Sequence, residues 1–135
     1  MQLEKPDLYA VSEDGSSLHL LATRCTQCHG LSFPAARYGC PLCGADLSTC
    51  AQEALDGRAR LLSFLTIHSS LGRGLEAPLV VGEAEIADGI IEEIMLGVPE
   101  SELADGMIVQ AVPVAIERNG TIVIACRFVP AEARP

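Results

Sequence analysis

Two closely spaced pairs of cysteines are the residues of this chain whose types and spacing most directly specify chemistry. The first pair lies in Cys25-Thr-Gln-Cys28-His29, and the second lies eleven residues later in Cys40-Pro-Leu-Cys43-Gly44. A C-x-x-C turn holds two sulfurs about 3.5–4 Å apart, which suits two corners of a tetrahedron around a metal with bonds of about 2.3 Å. The spacing therefore predicts one metal ion bound by Cys25, Cys28, Cys40 and Cys43.

The first pair also permits two other interpretations. C-x-x-C-H is the attachment signature of a c-type haem, in which His29 would bind the iron. Haem is attached outside the cytoplasm, and the N-terminal residues show no apolar segment followed by a small-residue cleavage site. A haem would leave Cys40 and Cys43 without a role, and disulfides are uncommon in the cytoplasmic location that we expect. We therefore favour the four-thiolate site and interpret His29 as a solvated loop residue.

Zinc is the expected metal, because it has no redox chemistry and prefers tetrahedral thiolate coordination. Iron is the alternative, since Cys-Pro-Leu-Cys-Gly also resembles the second half of rubredoxin. Four protein ligands close the site, so we expect one structural ion per chain and no open position for a substrate. Gly30 and Gly44 follow the two pairs, where a tight turn favours a positive φ.

The composition opposes a general role in nucleic-acid binding. The formal net charge is -9, and the nine basic residues comprise one lysine and eight scattered arginines. Phosphate binding requires clustered basic side chains, and base stacking requires aromatic ones, which make up only 4% of this chain. No apolar run approaches 18 residues, so we expect no membrane span.

The remainder of the chain has the pattern of a small β domain. Five strand-like segments span residues 58–69, 79–88, 90–96, 107–117 and 121–129, separated by turn sequences. The longer connection after the third segment contains Pro99–Leu103, which can form one helical turn. This arrangement is typical of the OB-fold barrel. We predict a mainly β chain with an N-terminal extension (1–17), a rubredoxin-like zinc ribbon (18–52) and a five-stranded OB-fold domain (53–135).

The last two strands allow predictions about which residues face the core. On the last strand Ile122, Ile124, Cys126 and Phe128 share one side, so we interpret Cys126 as a buried small hydrophobe and Cys50 as a partly buried free thiol. The fourth strand is apolar on both sides. We expect Ile108, Val112, Val114 and Ile116 to fill the barrel, which leaves Met107, Val109, Ala111 and Ala115 to be covered by the ribbon or by a partner subunit. For the chain as a whole we favour the partner.

The order of these motifs resembles a known family. A four-cysteine ribbon precedes a strand with the pattern Gly57-Arg-Ala-Arg-Leu-Leu-Ser63-Phe64-Leu-Thr66-Ile-His68, a Pro-to-Asp-Gly hairpin at residues 78–89 and a Glu102-Leu-x-x-Gly-Met107 segment. Over about residues 18–130 this order is similar to the bacterial and archaeal acyl-CoA-associated zinc-ribbon/OB-fold proteins, long described as a domain of unknown function. The family's helix before the ribbon looks shortened or broken here by Ser12 to Ser17.

The resemblance implies a non-catalytic subunit that assembles with a thiolase-fold enzyme or, in some systems, with a hydratase or aldolase. In such a hetero-oligomer the β domain would dock on the partner and help to form the channel for the CoA arm or acyl chain. The chain's own residues agree, since they show no nucleophile triad, no phosphate-binding glycine loop and no convincing carboxylate pair. Glu92-Glu93 and Glu83/Glu85 are interpreted as solvated strand carboxylates.

A protein that contacts CoA needs well-placed guanidinium groups for its phosphates. Arg37 occupies the family's arginine position before the third cysteine, Arg58 and Arg60 open the first barrel strand, and Arg73 lies in a glycine-rich loop. His68, at a strand end, could orient a ligand. Each has a structural alternative: a backbone carbonyl for Arg37, Asp56 or Glu53 for Arg58 and Arg60, and a local hydrogen bond for His68. A stand-alone nucleic-acid-binding OB module is the other function class, which the acidity opposes.

Overall fold

The computed structural model describes residues 2–69 and 78–131 and consists mainly of strands. They are β1 (Gln2–Leu3), β2 (Tyr9–Val11), β3 (Leu18–Cys25), β4 (Leu31–Ser32), β5 (Cys50–Leu55), β6 (Arg58–Ile67), β7 (Leu79–Ala87), β8 (Ile90–Leu96), β9 (Ile108–Arg118) and β10 (Thr121–Pro130). Two single-turn 3-10 helices, Leu47–Thr49 and Glu100–Glu102, precede β5 and β9. The second is the helical turn predicted in the long connection. Neither described helix is long and apolar enough to span a membrane.

Strands β6 to β10 form a closed five-stranded barrel. The antiparallel pairs are β6–β7, β7–β8, β10–β9 and β6–β9, and a parallel contact between β8 and β10 completes the ring. This order is that of an OB-fold, so the predicted fold class is confirmed. The ends of all five strands lie within two residues of the predicted ends.

Large and small side chains alternate across the strands in the barrel interior. The opposed pairs are Leu61 with Ala84, Val109 with Ala59, and Phe128 with Ala111, and all six residues are buried. A large side chain on one strand therefore fills the space that a small one leaves on its neighbour, as close packing requires. The core cluster extends to Leu18, Leu20 and Tyr9 from the N-terminal part of the chain.

At the start of β9, over residues 107–111, the core face is the reverse of the one predicted, whereas farther along the strand Ala115 is exposed and Ile116 is half-buried. Val109 and Ala111 are fully buried, and Met107 packs against the core, whereas Ile108 is exposed. The pairing of Val109 with Ala59 and of Ala111 with Phe128 places these two odd-numbered residues inside the barrel. Because both sides of the strand are apolar, alternation could not identify the inner one. Val109 and Ala111 therefore offer no surface to a partner.

The predicted core face of β10 is correct at one end of the strand and wrong at the other. Phe128 is buried, and half-buried Cys126 packs against the core, where burial raises the pKa of its thiol to about 11. Ile122 is instead exposed, because it lies opposite Glu117 near the turn of the long β9–β10 hairpin. The turn end of the β9–β10 hairpin therefore extends beyond the barrel interior.

A second sheet is organised around β3. Its partners are β2 and β4 at its two ends and β5 along residues 20–25, all antiparallel. Leu18 and Leu20, at the start of β3, belong to the barrel core, and Cys25 ends the strand. One continuous strand thus links the barrel core to the cysteine cluster.

Residues 2–11 pack against the β9–β10 hairpin as well as against β3. β1 runs parallel to β10, and the Tyr9 hydroxyl donates a hydrogen bond of 3.2 Å to the Ile124 carbonyl. Arg118 and Glu4 form a largely buried ion pair with Nε–Oε2 at 2.7 Å. The segment predicted as an N-terminal extension therefore contributes strands to both sheets.

Gly57 makes the junction between β5 and β6 possible. Its φ is +79°, and a Cβ at this position would lie 2.2 Å from the Leu18 carbonyl oxygen. Its own carbonyl accepts a hydrogen bond of 2.9 Å from the Ala111 N–H. Only a glycine allows the chain to turn here while the two backbones approach this closely.

Candidate functional site

The four paired cysteines converge. Their sulfur atoms all lie within 4.8 Å of one another, with 3.8 Å between Cys25 and Cys43 and 3.7 Å between Cys28 and Cys40. Sulfurs at the corners of a tetrahedron with metal bonds of about 2.3 Å are about 3.8 Å apart. The geometry and the all-thiolate donor set therefore fit one tetrahedral metal ion, as the spacing predicted.

Each cysteine pair is held by a short turn whose N–H groups point at sulfur. The Gln27 N–H donates to Cys25 Sγ at 3.3 Å, and the Gly30 N–H donates to Cys28 Sγ at 3.4 Å. Donors of this kind favour the thiolate form, which is the form that binds metal. Cys25 and Cys40 are buried and Cys28 and Cys43 are exposed, so the site opens to solvent on one side only.

Thr49 lies beside the cluster. Its hydroxyl is 3.5 Å from Cys25 Sγ, and this hydrogen bond, together with the N–H groups of Cys28 and Gln27, lowers the pKa of the Cys25 thiol to about 6. Thr49 belongs to the 3-10 helix that Asp46 caps through the Ser48 N–H. The sequence between the second cysteine pair and β5 thus forms part of the surroundings of the cysteine cluster.

The turn after each cysteine pair, which we call a knuckle, was predicted to contain a glycine with positive φ, and this prediction is correct for only one of the two. Gly44 has φ +78° as expected, but at the first knuckle the left-handed residue is His29, with φ +63°, and not Gly30. A Cβ on Gly30 would lie 2.3 Å from Cδ1 of Leu42, so a side chain here would displace that exposed leucine. His29 is exposed and its N–H donates to the Cys25 carbonyl, so its role is in the turn.

Cys50 is close to the cluster without belonging to it. It lies opposite Cys25 in the β3–β5 pairing, is half-buried, and has its sulfur 3.9 Å from the Thr49 hydroxyl oxygen. The group of four converging ligands does not include it. The interpretation of Cys50 as a partly buried free thiol therefore agrees with its position.

An open groove of about 990 Å³ runs between the ribbon and the β7–β8 hairpin. Its walls are mostly apolar and come from Leu8, the ribbon segment 31–44 and Gly89–Ile91 at the hairpin. Of the described residues that line it, Arg37 alone carries a charge. Tyr38, beside Arg37, is 96% exposed, so an aromatic ring and a guanidinium group stand next to each other at this groove.

Arg37 reaches across to the N-terminal segment. Its Nη2 lies 3.1 Å from Oδ2 of Asp7, and both side chains are largely exposed. An exposed pair of this kind contributes little to stability and can be exchanged for another anion. The predicted alternative, a backbone carbonyl partner for Arg37, is not the interaction seen.

The other candidate contact residues lie elsewhere. Arg58 and Arg60 border a shallow depression of about 250 Å³ on the β6–β9 side of the β7–β8 turn, where Arg60 pairs with Glu85 at 2.9 Å. His68 is exposed just after β6. Arg73 lies outside the described residues. The described candidates therefore do not form one cluster, and only Arg37 lines the large groove.

The strand carboxylates are less uniform than predicted. Glu83 and Glu93 are exposed, as expected, but Glu92 shares the inner side of the sheet with Ala84 and is half-buried. Burial, followed by the charge of Glu93, raises the pKa of Glu92 above its usual value. The consecutive glutamates thus lie in two different environments.

The groove is the feature that sequence reasoning missed. Its apolar walls include Leu31, Phe33, Tyr38 and Leu42, which lie between the cysteines. The sequence did contain one indication of it: the ribbon has more large apolar residues than so short a segment can bury in a core of its own. This excess could not locate the groove, because the second wall comes from a hairpin about fifty residues away along the chain.

Comparison with known proteins identifies a similar fold. No protein-family model matches this chain, and no curated protein matches it. Among solved structures, a chain described as "Ltp2-ChsH2(DUF35) aldolase" is similar, with a TM-score of 0.60 and 24% sequence identity, over 83% of this chain and 84% of that one. At this identity the similarity shows the fold: the arrangement of ribbon and barrel described above is one that a chain of that aldolase also has.

Proposed function

We propose that this protein is a non-catalytic zinc-ribbon/OB-fold subunit of an enzyme complex that processes acyl-CoA thioesters. The observation that carries the proposal is the similarity in fold, over more than four-fifths of both chains, to a chain named for an aldolase complex. The sequence motifs from Gly57 to His68 and from Glu102 to Met107 support the same class. We expect the complex to be cytoplasmic.

The partner that we propose first is a thiolase-fold enzyme, which would form or cleave a 3-oxoacyl-CoA with its own catalytic residues. An aldolase partner is the second candidate, and the printed name of the similar structure favours it. A hydratase is the third member of this class. In all three cases this chain contributes assembly and contacts with CoA, and supplies no catalytic residue.

The metal that we propose for Cys25, Cys28, Cys40 and Cys43 is zinc, in a structural role. A set of four thiolates leaves no ligand position for a substrate or a water molecule. Zinc would fix the ribbon segment that forms one wall of the groove, since Cys40 itself lines the groove. Its function would then be to hold Arg37 and the apolar wall in place.

The groove is the part of this chain that we propose contacts the CoA thioester. The apolar walls suit an acyl chain or the pantetheine arm, and Arg37 suits a phosphate because a guanidinium group binds phosphate oxygens in pairs. Arg58, Arg60, His68 and Arg73 remain proposed contacts with CoA or with the partner. Arg60 is the weakest of these, because Glu85 already pairs with it.

Co-purification from the native host tests the function directly. A tagged chain should bring down a thiolase-fold, aldolase or hydratase subunit, and the complex should turn over an acyl-CoA substrate while the isolated chain should not. In the complex, Arg37→Ala should raise the KM for the CoA substrate by about ten- to a hundredfold with kcat and zinc content unchanged, since one charge-assisted contact is worth about 1.5–3 kcal/mol. Arg24→Ala, which removes an exposed arginine that does not line the groove, is the matched control.

Two outcomes would contradict the proposal. Turnover of acetoacetyl-CoA or of an enoyl-CoA by the isolated chain would make it an enzyme in its own right. Recovery of nucleic acid, with no acyl-CoA enzyme, would favour the stand-alone OB module. An unchanged KM for Arg37→Ala in an active complex would show that Arg37 does not contact CoA. The proposed role of this chain in assembly would stand.

A further inference from the structure

The outer side of the β6–β7–β8 sheet carries an ordered set of side chains that the barrel itself does not use. Directly opposed residues form rows across the three strands: Ser63, Glu83 and Glu93 in one row, and Leu65, Val81 and Met95 in the next. Opposed residues lie on the same side of a sheet, and the buried pair of Leu61 and Ala84 fixes the inner side. We call these six residues the outer sheet face.

The acidic row of the outer sheet face is electrostatically unfavourable in the chain alone. Glu83 and Glu93 are exposed and directly opposed, and like charges in that arrangement destabilise a sheet. The third member of the row is Ser63, which has no charge. Among residues 2–69 and 78–131, neither glutamate takes part in an ion pair. A cation placed between the two carboxylates would relieve their repulsion.

The adjacent row is apolar and open to solvent. Leu65 is 54% exposed in the middle of a strand, with half-buried Val81 and Met95 beside it. Exposed apolar side chains that adjoin one another and are bordered by charge are typical of protein interfaces. The combination of this row with the acidic row specifies a complementary surface: apolar side chains next to a lysine or arginine.

The outer sheet face is also continuous with the groove. The next row toward the ribbon contains Arg60, Glu85 and Ile91, and Ile91 is 52% exposed and lines the groove. A protein seated on the outer sheet face would therefore border the open side of the groove. Contact there would convert the groove from a surface feature into a channel between two subunits.

We propose that the outer sheet face binds the catalytic partner, through a partner surface on which a basic side chain lies between apolar ones. This inference rests on the proposed function, because it names the place where that partner docks. The partner's cation binds between Glu83 and Glu93, and its apolar side chains cover Leu65, Val81 and Met95. The β9–β10 hairpin, with exposed Ile122, is the competing surface.

Variants on the two surfaces separate these possibilities. Binding is measured between this chain and the catalytic chain that co-purifies with it. The double variant Glu83→Lys/Glu93→Lys should weaken binding at least about a hundredfold, since like-charge contacts across an interface cost several kcal/mol. Leu65→Asp should weaken it similarly. The controls are Glu117→Lys and Ile122→Asp, which place the same changes on the exposed part of the hairpin and should leave the Kd within about twofold of the wild type.

A photo-crosslinking residue gives an independent readout in the native host. Placed at Leu65, it should yield an adduct whose mass-spectrometric identification is the acyl-CoA enzyme subunit; placed at Ile122, it should not. Unchanged affinity of the Glu83/Glu93 and Leu65 variants, or an adduct from Ile122 alone, would overturn this docking surface while the proposed function stands. If the wild type recovers no acyl-CoA enzyme at all, the proposed function and the docking surface both fail. Unchanged melting and zinc content in each variant exclude unfolding as the cause.

Discussion

The ribbon and the barrel of this protein are stabilised by different means. The barrel core is a cluster of twelve buried residues, nine from its own five strands and three from β2 and β3, which pack against it. In the ribbon, only Ser32 and Cys40 are buried among residues 26–50, and its large side chains Tyr38, Leu42 and Leu47 are exposed. A segment that buries so little apolar surface cannot offset its conformational entropy without a cross-link or a metal.

The difference indicates that the ribbon depends for its stability on cross-linking through its cysteines, whereas the barrel depends on the packing of buried side chains. A metal bound by the four cysteines would let the ribbon keep a groove wall and an exposed arginine without forming a core of its own. The barrel keeps apolar and acidic residues on its outer sheet face, while its interior is filled by the core cluster. β3 belongs to both regions, with Leu18 in the core and Cys25 in the cysteine cluster.

Removal of the metal should have the largest effect and should be confined to the ribbon. Cys40→Ser deletes a buried ligand, and structural zinc sites of this kind supply on the order of 10 kcal/mol of folding free energy. We expect bound metal to fall below about one-tenth of an equivalent per chain. Amide exchange of residues 26–49 should become fast, while the barrel amides stay protected. Cys50→Ser is the control and should retain the metal; rapid exchange throughout the barrel would show that the two regions are not separable.

Truncation of one leucine on each side of β6 should test the packing of the barrel. Leu61→Ala removes a fully buried side chain and should lower the free energy of unfolding by about 2–5 kcal/mol. Leu65→Ala removes an exposed leucine four residues away and should change it by less than about 0.5 kcal/mol. Urea denaturation of both variants provides the measurement. Equal losses would mean that the outer sheet face is already covered within the chain.

A glycine comparison should test the junction between the two regions. Gly57 and Gly120 both have φ +79°, but a Cβ on Gly57 would meet the Leu18 carbonyl, whereas one on Gly120 would meet nothing within 4 Å. Gly120→Ala should therefore cost only the backbone strain, about 1 kcal/mol. Gly57→Ala should cost clearly more, about 2–4 kcal/mol, because one of the two backbones must shift. Similar melting temperatures for the two variants would contradict the close approach at the junction.

The smallest effects should come from the two ion pairs of the N-terminal segment. Glu4→Gln weakens the largely buried pair with Arg118 and should cost about 1 kcal/mol, since Arg118 keeps another interaction. Asp7→Asn weakens the exposed pair with Arg37 and should cost less than about 0.3 kcal/mol. Thermal unfolding of both variants in low salt would measure the difference. The reverse order would indicate that the N-terminal segment is held mainly through the ribbon.

Much of this protein was determined by short-range sequence signals. The limits of the barrel strands follow from β-branched runs between turn residues such as Asn119-Gly120, which take positive φ. The four cysteines were recognised as one set because thiolate chemistry and the C-x-x-C spacing leave few alternatives. These signals act within a few residues, so they can be read before any long-range contact is known.

Other features depended on contacts between distant parts of the chain. The sequence of β9 is apolar on both sides, so its inner face was decided by its pairing with Ala59 and Phe128. The groove and the outer sheet face are likewise products of register, which brings Glu83 opposite Glu93 and Leu65 opposite Val81. Alternation along a strand determines that it has two faces. Only the pairing of strands in the closed barrel determines which face is buried and which side chains become neighbours on the exposed face.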